Sequence, residues 1–382
     1  MKTLNKTYFE DFKPDLTVTS PGRINFIGEH TDYNNGFVLP TAIDKKICFY
    51  FKKKSSSDHC NIYSKSYDAF LQIDLSNITT SNVEWENFVL GVINELQHRN
   101  AVITGFDCII DSELPIGAGI SSSAALECGI ALGLNALFNL KFSLQELITL
   151  SRDAEHNFVG TKCGIMDQFA VVMSKKAYAL LIDCESLAHE LIPLTMQPYK
   201  ILLLNTNISH NLATSEYNKR RNECEMGLEI IKEKYPNISS LREVTSTILE
   251  AVKPSLNKTL YNRCAYIVAE NNRVQQAVAS LKSGDLKSLG NLMYGSHDGL
   301  RNLYDVSCAE LDFLVDFSLK HEYVLGARMM GGGFGGCTIN IVHENDINTY
   351  VEKVSCAYKK EFKIDLSAIE VSPSDGTSII YH

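Results

Sequence analysis

The fold turns on Pro115-Ile-Gly117-Ala-Gly119-Ile-Ser121-Ser122-Ser123-Ala-Ala125, which joins a β-rich run to an apolar helical one. Upstream, Gly105 to Ile110 reads as a strand. Downstream, Ser121 to Phe138 is apolar on nearly every side (Ala124, Leu126, Ile130, Leu132, Leu134, Leu137), the pattern of a buried central helix. Two glycines let the backbone bend and approach a ligand, three hydroxyls offer donors, and the helix aims its positive N-terminal end at whatever binds. The segment therefore reads as a phosphate cradle, although a tight turn capped by Ser121 would use the same residues. It is not a Walker A loop, since no lysine follows the glycines.

Before this loop, Leu16 to Ser20, Gly36 to Leu39, Ile47 to Lys52 and Cys60 to Ile73 read as strands, with Lys52 to Asp58 as a solvated hairpin end and Glu86 to Arg99 as a helix. After it, Ser143 to Phe158 opens on the capping box Ser143-Leu-Gln-Glu146 and predicts a second helix. Strands follow at Ala177 to Asp183, Lys200 to Thr206 and Cys337 to Val342, with helices at Ala213 to Lys234, Leu260 to Lys282, Cys308 to His321 and Glu344 to Phe362. The expectation is an α+β chain of two lobes with a cleft between them, 1–195 and 196–382, the last segment free to return to the first lobe.

At 382 residues the chain has room for two or three folding units of roughly 150 residues. Hydrophobic residues at 45 % and charged residues at 21 % exclude disorder, collagen-like repeats and a pure coiled coil. A net charge of -9 argues against nucleic acid as a partner. Eleven cysteines with no C-x-x-C pair fit neither a zinc ribbon nor a disulfide scaffold and point to a reducing cytoplasm. No apolar h-region lies between Met1 and Pro14, and no stretch reaches the roughly 18 apolar residues of a membrane span, so no membrane partner is expected.

Three further constellations carry chemistry. Gly22-Arg23-Ile-Asn25-Phe-Ile-Gly28-Glu29-His30-Thr31-Asp32-Tyr33 alternates acceptors and donors, which suits a polyol better than a metal, because consecutive residues rarely converge on one ion. A solvated polar turn is the plainer reading. In Cys163-Gly164-Ile-Met-Asp167-Gln168-Phe169 a carboxylate sits among apolar neighbours, which makes Asp167 a candidate base. Glu155, at the edge of an apolar stripe, needs a divalent cation or a partner such as Lys162 or Arg152. Gly331 to Gly336 formally contains G-x-G-x-x-G, but a strand follows it where a dinucleotide fold needs a helix. Lys219-Arg220-Arg221 reads as a salt-bridged, solvated face, and Trp85 as core or an adenine wall.

Taken together, Pro21 to Gly36, Pro115 to Ala125, Cys163 to Phe169 and Gly326 to Thr338 resemble, in order, the sugar-binding, phosphate-loop, catalytic and third motifs of the galactokinase family, within the GHMP small-molecule kinase superfamily. The resemblance implies the two-lobed GHMP kinase fold with the active site in the interlobe cleft, and transfer of the ATP γ-phosphoryl group to the C1 hydroxyl of α-D-galactose. It implies that Glu29, His30, Asp32, Gly164 and Tyr217 bind the sugar and that Asp167 takes the proton beside Arg23. Gly117, Gly119, Ser121 and Ser122 would cradle the phosphates, Ser123 and Glu155 would hold Mg²⁺, and Trp85 with Asn87 would flank the adenine. A cytoplasmic monomer is implied as well.

Two departures from the pattern stand out: Met330 where a threonine is usual, and Ser209 where many members carry a basic residue. The alternatives are a related sugar 1-kinase acting on N-acetylgalactosamine, galacturonate or arabinose, or a non-catalytic galactose sensor. An intact Ser121-Ser122-Ser123 loop argues against the sensor.

Overall fold

The computed structural model describes residues 6–55, 57–115, 117–208 and 213–382. Strand β1 (Leu16–Asn25) alternates buried and half-buried side chains at its start and is wholly buried from Ser20 onward. After the short β2 (Phe37–Val38), β3 (Pro40–Lys53) returns antiparallel to β1, with a register shift between Pro21 and Arg23. A Cβ on Gly22 would lie 2.9 Å from Leu114 Cδ2 and 3.0 Å from Ile120 O, so the bulge needs a residue without one. Such bulges re-aim the next side chain, here that of Arg23.

The run expected as one strand from Cys60 to Ile73 is a hairpin, β4 (His59–Ser64) and β5 (Ala69–Asp74), with Asp68 at φ 48° in the turn. After helix α1 (Glu84–His98), β6 (Phe106–Ser112) inserts between β3 and β4 and pairs with β4 in parallel. The lysine-rich stretch after β3 therefore crosses to a strand beyond β6 and is not a hairpin end.

Helix α2 (Ser122–Phe138) lies across this sheet, and its two glycines explain how closely. Cβ atoms on Gly129 and Gly133 would sit 2.1 and 2.2 Å from the Phe49 and Phe51 rings. Four helical residues advance about 6 Å and two strand residues about 6.8 Å, so both rings of one strand face meet both glycines of one helix face. Helix α3 (Leu144–Ala154) starts at the expected capping box, with Ser143 and Glu146 bonded reciprocally. It stops short of Phe158, passing into a π turn at Glu155–Val159 that turns Glu155 inward. Helix α4 (Met166–Met173), unforeseen in the sequence, follows, and β7 (Tyr178–Asp183) joins β8 (His189–Pro193) and β2 in a small sheet.

The second half builds on β9 (Tyr199–Asn205) and helices α5 (Ala213–Lys234), α6 (Ser246–Val252), α7 (Lys258–Ser283), α8 (Leu286–Gly299) and α9 (Ala309–Ser318), of which α6 and α8 were also unforeseen. Then come β10 (Val324–Met329), β11 (Cys337–His343), α10 (Ile347–Phe362), β12 (Ser367–Val371) and β13 (Ser378–Tyr381). One sheet has the order β10-β11-β9-β12, and β13 pairs antiparallel with β1 at the edge of β13-β1-β3-β6-β4-β5. Alternation on β9 feeds two cores: Ile201 and Leu203 join the large cluster shared with the first sheet, while Leu202 and Leu204 pack under α10.

Replacing Gly129 by Ala should destabilise the protein by about 1–3 kcal/mol through overpacking, despite the better helix propensity of alanine. Phe49→Leu should recover part of the loss. Urea unfolding of the single and double variants measures both.

Candidate functional site

The bulge in β1 sends Arg23, 3 % exposed, into the interior. Its Nε and Nη2 donate to the two carboxylate oxygens of Asp167 at 2.8 Å each, and its Nη1 donates to Gly119 O at 2.7 Å. Its own backbone N–H donates to Ile120 O. Asp167 stands in the first turn of α4, where the helix dipole favours a negative charge, and its side chain keeps 27 % of its surface open to the cleft. The Ser121 hydroxyl also donates to Asp167. Ser121 has φ 58° and makes no side-chain cap, so the expected cap is absent and its hydroxyl serves the carboxylate.

The segment after β1 is fixed from the other half of the chain. Gly28 N–H donates to Glu270 Oε1 of α7 at 2.9 Å, and the Tyr266 hydroxyl donates to Glu29 O at 3.0 Å. Glu29 Oε1 accepts from Arg328 Nη2 at 2.5 Å and from Gly331 N–H at 2.9 Å, tying it to the glycine cluster. Asp32 lies against Gly164, where a Cβ would come within 1.9 Å of Asp32 Oδ2. Burial pushes the Asp32 carboxyl up to about 7, helped by the charges of Asp167 and Glu29. Burial pushes His30 down to about 3, so its ring is neutral. Arg23, Glu29, His30, Asp32, Gly164, Asp167 and Tyr217 thus converge, with Cys163, Met166, Gly331 and Gly332, on one cavity of about 330 Å³.

A second cavity, of about 550 Å³, is lined by Trp85, Tyr67, Phe88, Ser122, Ser123 and Leu126 among others. Trp85 is 6 % exposed and belongs to the core, yet it stacks on Tyr67 at 5.7 Å with rings 10° apart, which makes it core and wall together. Asn87 turns away, bonding both its amide atoms to the Ser81 backbone. Gly117 and Gly119, at φ 73° and 69°, lie in the loop before α2. The loop before α2 therefore lines the larger cavity through Ser122 and Ser123 and is tied to the wall of the smaller one by hydrogen bonds, Gly119 O to Arg23 and the Ser121 hydroxyl to Asp167.

Glu155 is buried and accepts from Gln168 Nε2 at 3.0 Å; Arg152 pairs with Asp153 instead. The same Gln168 nitrogen reaches Glu127 Oε2 at 3.2 Å, and Glu127 Oε1 is buried without a hydrogen-bond partner among the described residues. Burial and the negative charges around them push both carboxyls up. Ser123 stands one helical turn from Glu127 on α2. Among the described residues no three His, Cys, Asp or Glu side chains form a closed metal cage. Mg²⁺ needs none, since it is held by one or two carboxylates with waters and substrate phosphates, and the orphaned Glu127 oxygen beside Glu155 fits such an ion.

Arg220 corrects the reading of a solvated basic face: Lys219 is exposed and Arg221 half-buried, but Arg220 is 3 % exposed and donates to the Tyr304 and Asp305 carbonyls. Sequence reasoning missed Arg328, Tyr304 and Glu127, although Arg328 stands inside the Gly326 to Thr338 motif and Glu127 is a carboxylate in an otherwise apolar helix. Ser209 lies outside the described residues. Met330 is 1 % exposed.

Residues 4–53 match the galactokinase galactose-binding signature, 87–175 the N-terminal domain of GHMP kinases and 277–360 their C-terminal domain. The chain is 41 % identical over 365 residues to a galactokinase of Thermotoga petrophila, covering 96 % of this chain and 100 % of that one. A galactokinase of Clostridium beijerinckii is likewise 41 % identical, over 94 % and 93 % of the two chains. The crystal structure of Lactococcus lactis galactokinase complexed with galactose superposes with a TM-score of 0.93 at 32 % identity, over 98 % of each chain. Methanococcus jannaschii mevalonate kinase, at TM-score 0.65 and 18 % identity over 94 % and 98 %, shares the fold.

Between the ordinary carboxylate value of 3.8 and about 7, folded Asp32 holds a proton that the unfolded chain releases, so raising pH through that window removes stability. Asp32→Asn should escape this loss. Its melting temperature should gain on wild type, by about 2 °C or more, between pH 5 and pH 8 in sugar-free buffer.

Proposed function

Because the chain belongs to the galactokinase family of the GHMP kinases, it is an ATP-dependent galactose kinase, and we propose that it transfers the γ-phosphoryl group to the C1 hydroxyl of α-D-galactose with Asp167 receiving the hydroxyl proton. The observation that carries this assignment is the two-pronged Arg23–Asp167 pair lining the 330 Å³ cavity, tied to the loop before α2 through Gly119 O. Arg23 holds the carboxylate in one orientation, so the hydroxyl meets a fixed acceptor, and its positive charge balances the negative charge gathered there. Glu29, His30, Asp32, Gly164 and Tyr217 bind the sugar, with Glu29 and Asp32 supplying acceptors.

The cavity lined by Trp85 and Tyr67 takes the adenine. Backbone N–H groups around Gly117 and Gly119, with Ser121, Ser122 and the start of α2, meet the phosphates. Ser123 and Glu155 would hold Mg²⁺, which when bound neutralises phosphate charge. Phosphoryl transfer depends mostly on positioning and charge stabilisation, so these groups contribute as much as the base.

The lobes are taken as 1–195 and 196–382, a division that the matches at 87–175 and 277–360 straddle, with β13 crossing back to β1. One chain holds both cavities, which supports a monomer as the working unit. Eleven free cysteines and the lack of any membrane-length apolar helix among the described residues support a reducing compartment, for which the cytoplasm is our assignment.

ADP release with Mg-ATP, run in parallel on D-galactose, N-acetylgalactosamine, galacturonate, L-arabinose and no sugar, tests the assignment. Galactose alone should give strong release, and ³¹P NMR should place the phosphate on C1. Preference for another sugar, or galactose binding without release, would refute it. Glu29→Gln should raise the KM for galactose about 10-fold or more and leave that for ATP within about twofold.

A further inference from the structure

His30, 3 % exposed and at φ 63°, lies at the start of a buried chain of polar atoms. Its Nδ1 is 2.8 Å from the Tyr33 hydroxyl, which is 2.7 Å from the Tyr304 hydroxyl, which is 3.1 Å from Cys224 Sγ. Its Nε2 is buried without a hydrogen-bond partner among the described residues, and the residue lines the smaller cavity together with Gly332. A neutral ring carries one hydrogen, and which nitrogen carries it decides whether the sugar meets a donor or an acceptor.

The chain has two polarities. In one, Nδ1–H donates to Tyr33, Tyr33 to Tyr304, and Tyr304 to the thiol sulfur, leaving Nε2 bare. In the other, Cys224 donates to Tyr304, Tyr304 to Tyr33 and Tyr33 to Nδ1, so Nε2 carries the hydrogen. Acceptor strength favours the second. An imidazole nitrogen is a stronger acceptor than a thiol sulfur, so this direction gives a phenolic O–H the better partner.

We infer that Cys224, Tyr304 and Tyr33 form a relay that holds His30 as the Nε2–H tautomer, so that His30 presents a fixed donor to a sugar oxygen opposite the acceptors of Glu29 and Asp32. Tyr33, Tyr304 and Cys224 are thereby positioning residues for the sugar. Tyr304 and Cys224 act from α5 and the turn before α9, far in sequence from the motif they orient. The inference rests on the cavity being the sugar site, but the tautomer is measured without sugar.

The test is ¹⁵N NMR of the full chain with labelled histidine, the His30 ring assigned by its loss in His30→Gln. Wild type should show a bare Nδ1 and a protonated Nε2. Tyr304→Phe deprives Tyr33 of its donor, so the ring should become a mixture of tautomers and the KM for galactose should rise roughly 2- to 10-fold, with that for ATP within about twofold. Cys224→Ser, a stronger donor, should keep the wild-type tautomer. A protonated Nδ1 in wild type overturns the inference whether or not Tyr304→Phe folds, and so does an unchanged tautomer in folded Tyr304→Phe. Failure to phosphorylate galactose with a bare Nδ1 would count against the proposed function and not against the tautomer.

Discussion

A guanidinium as deeply buried as that of Arg23 has to find a partner for each of its faces, and the way it does so organises the centre of this molecule. Two of its nitrogens grip Asp167 from α4, and a third holds the Gly119 carbonyl of the phosphate loop. Three segments separated by 96 and 144 residues are thereby set in one geometry. Lysine could not replace it, because a point charge on a flexible stem has no planar fork to match a carboxylate and a carbonyl together. The β1 bulge at Gly22 exists in service of this contact, since without it the side chain would follow the ordinary strand alternation.

Around that centre the charges are arranged in opposed layers. Glu29, Asp32 and Asp167 crowd one small cavity, and Arg23 and Arg328 stand behind them in the protein rather than in the solvent. Water could offset such crowding only by filling the site. Buried arginines do so from the protein side, by direct hydrogen bonds to Asp167 and Glu29. The backbone of the 28–37 segment is held from α7 by Glu270 on Gly28 and Asn271 on Phe37, so the cavity-lining side chains of Glu29, His30 and Asp32 sit on a loop that has little freedom left. The loop before α2 lines one cavity through Ser122 and Ser123 and is hydrogen-bonded to Arg23 and Asp167 in the wall of the other, so the two cavities are held in register.

What could be read from the sequence was what local chemistry writes there. The capping box at Ser143, the glycines before Ser121 and the apolar helix after it are signals carried by neighbours, and they appear in the fold where expected. The convergence of Glu29, His30, Asp32 and Asp167 followed from motif order and the family resemblance. Contacts made by distant partners left no such trace. Nothing near Glu29 foretells that Arg328, 299 residues away, will hold it. Arg220 has charged neighbours on both sides and looks solvated until the Tyr304 and Asp305 carbonyls are brought to it. The crossing from β3 to β4 was hidden because strand order depends on β6, which comes later in the chain. The π turn at Glu155 was hidden because apolar spacing continues unbroken to Phe158.

The central claim is that Arg23 and Asp167 act on the chemical step and not on sugar capture. Rapid-quench single turnover of Asp167→Asn and Arg23→Lys, with galactose affinity measured by calorimetry on the same samples, separates the two. The account predicts that the phosphoryl-transfer rate of Asp167→Asn falls about 10²- to 10⁴-fold and that Arg23→Lys falls in the same direction, while galactose Kd stays within about threefold. An unchanged transfer rate with weakened galactose binding would contradict it.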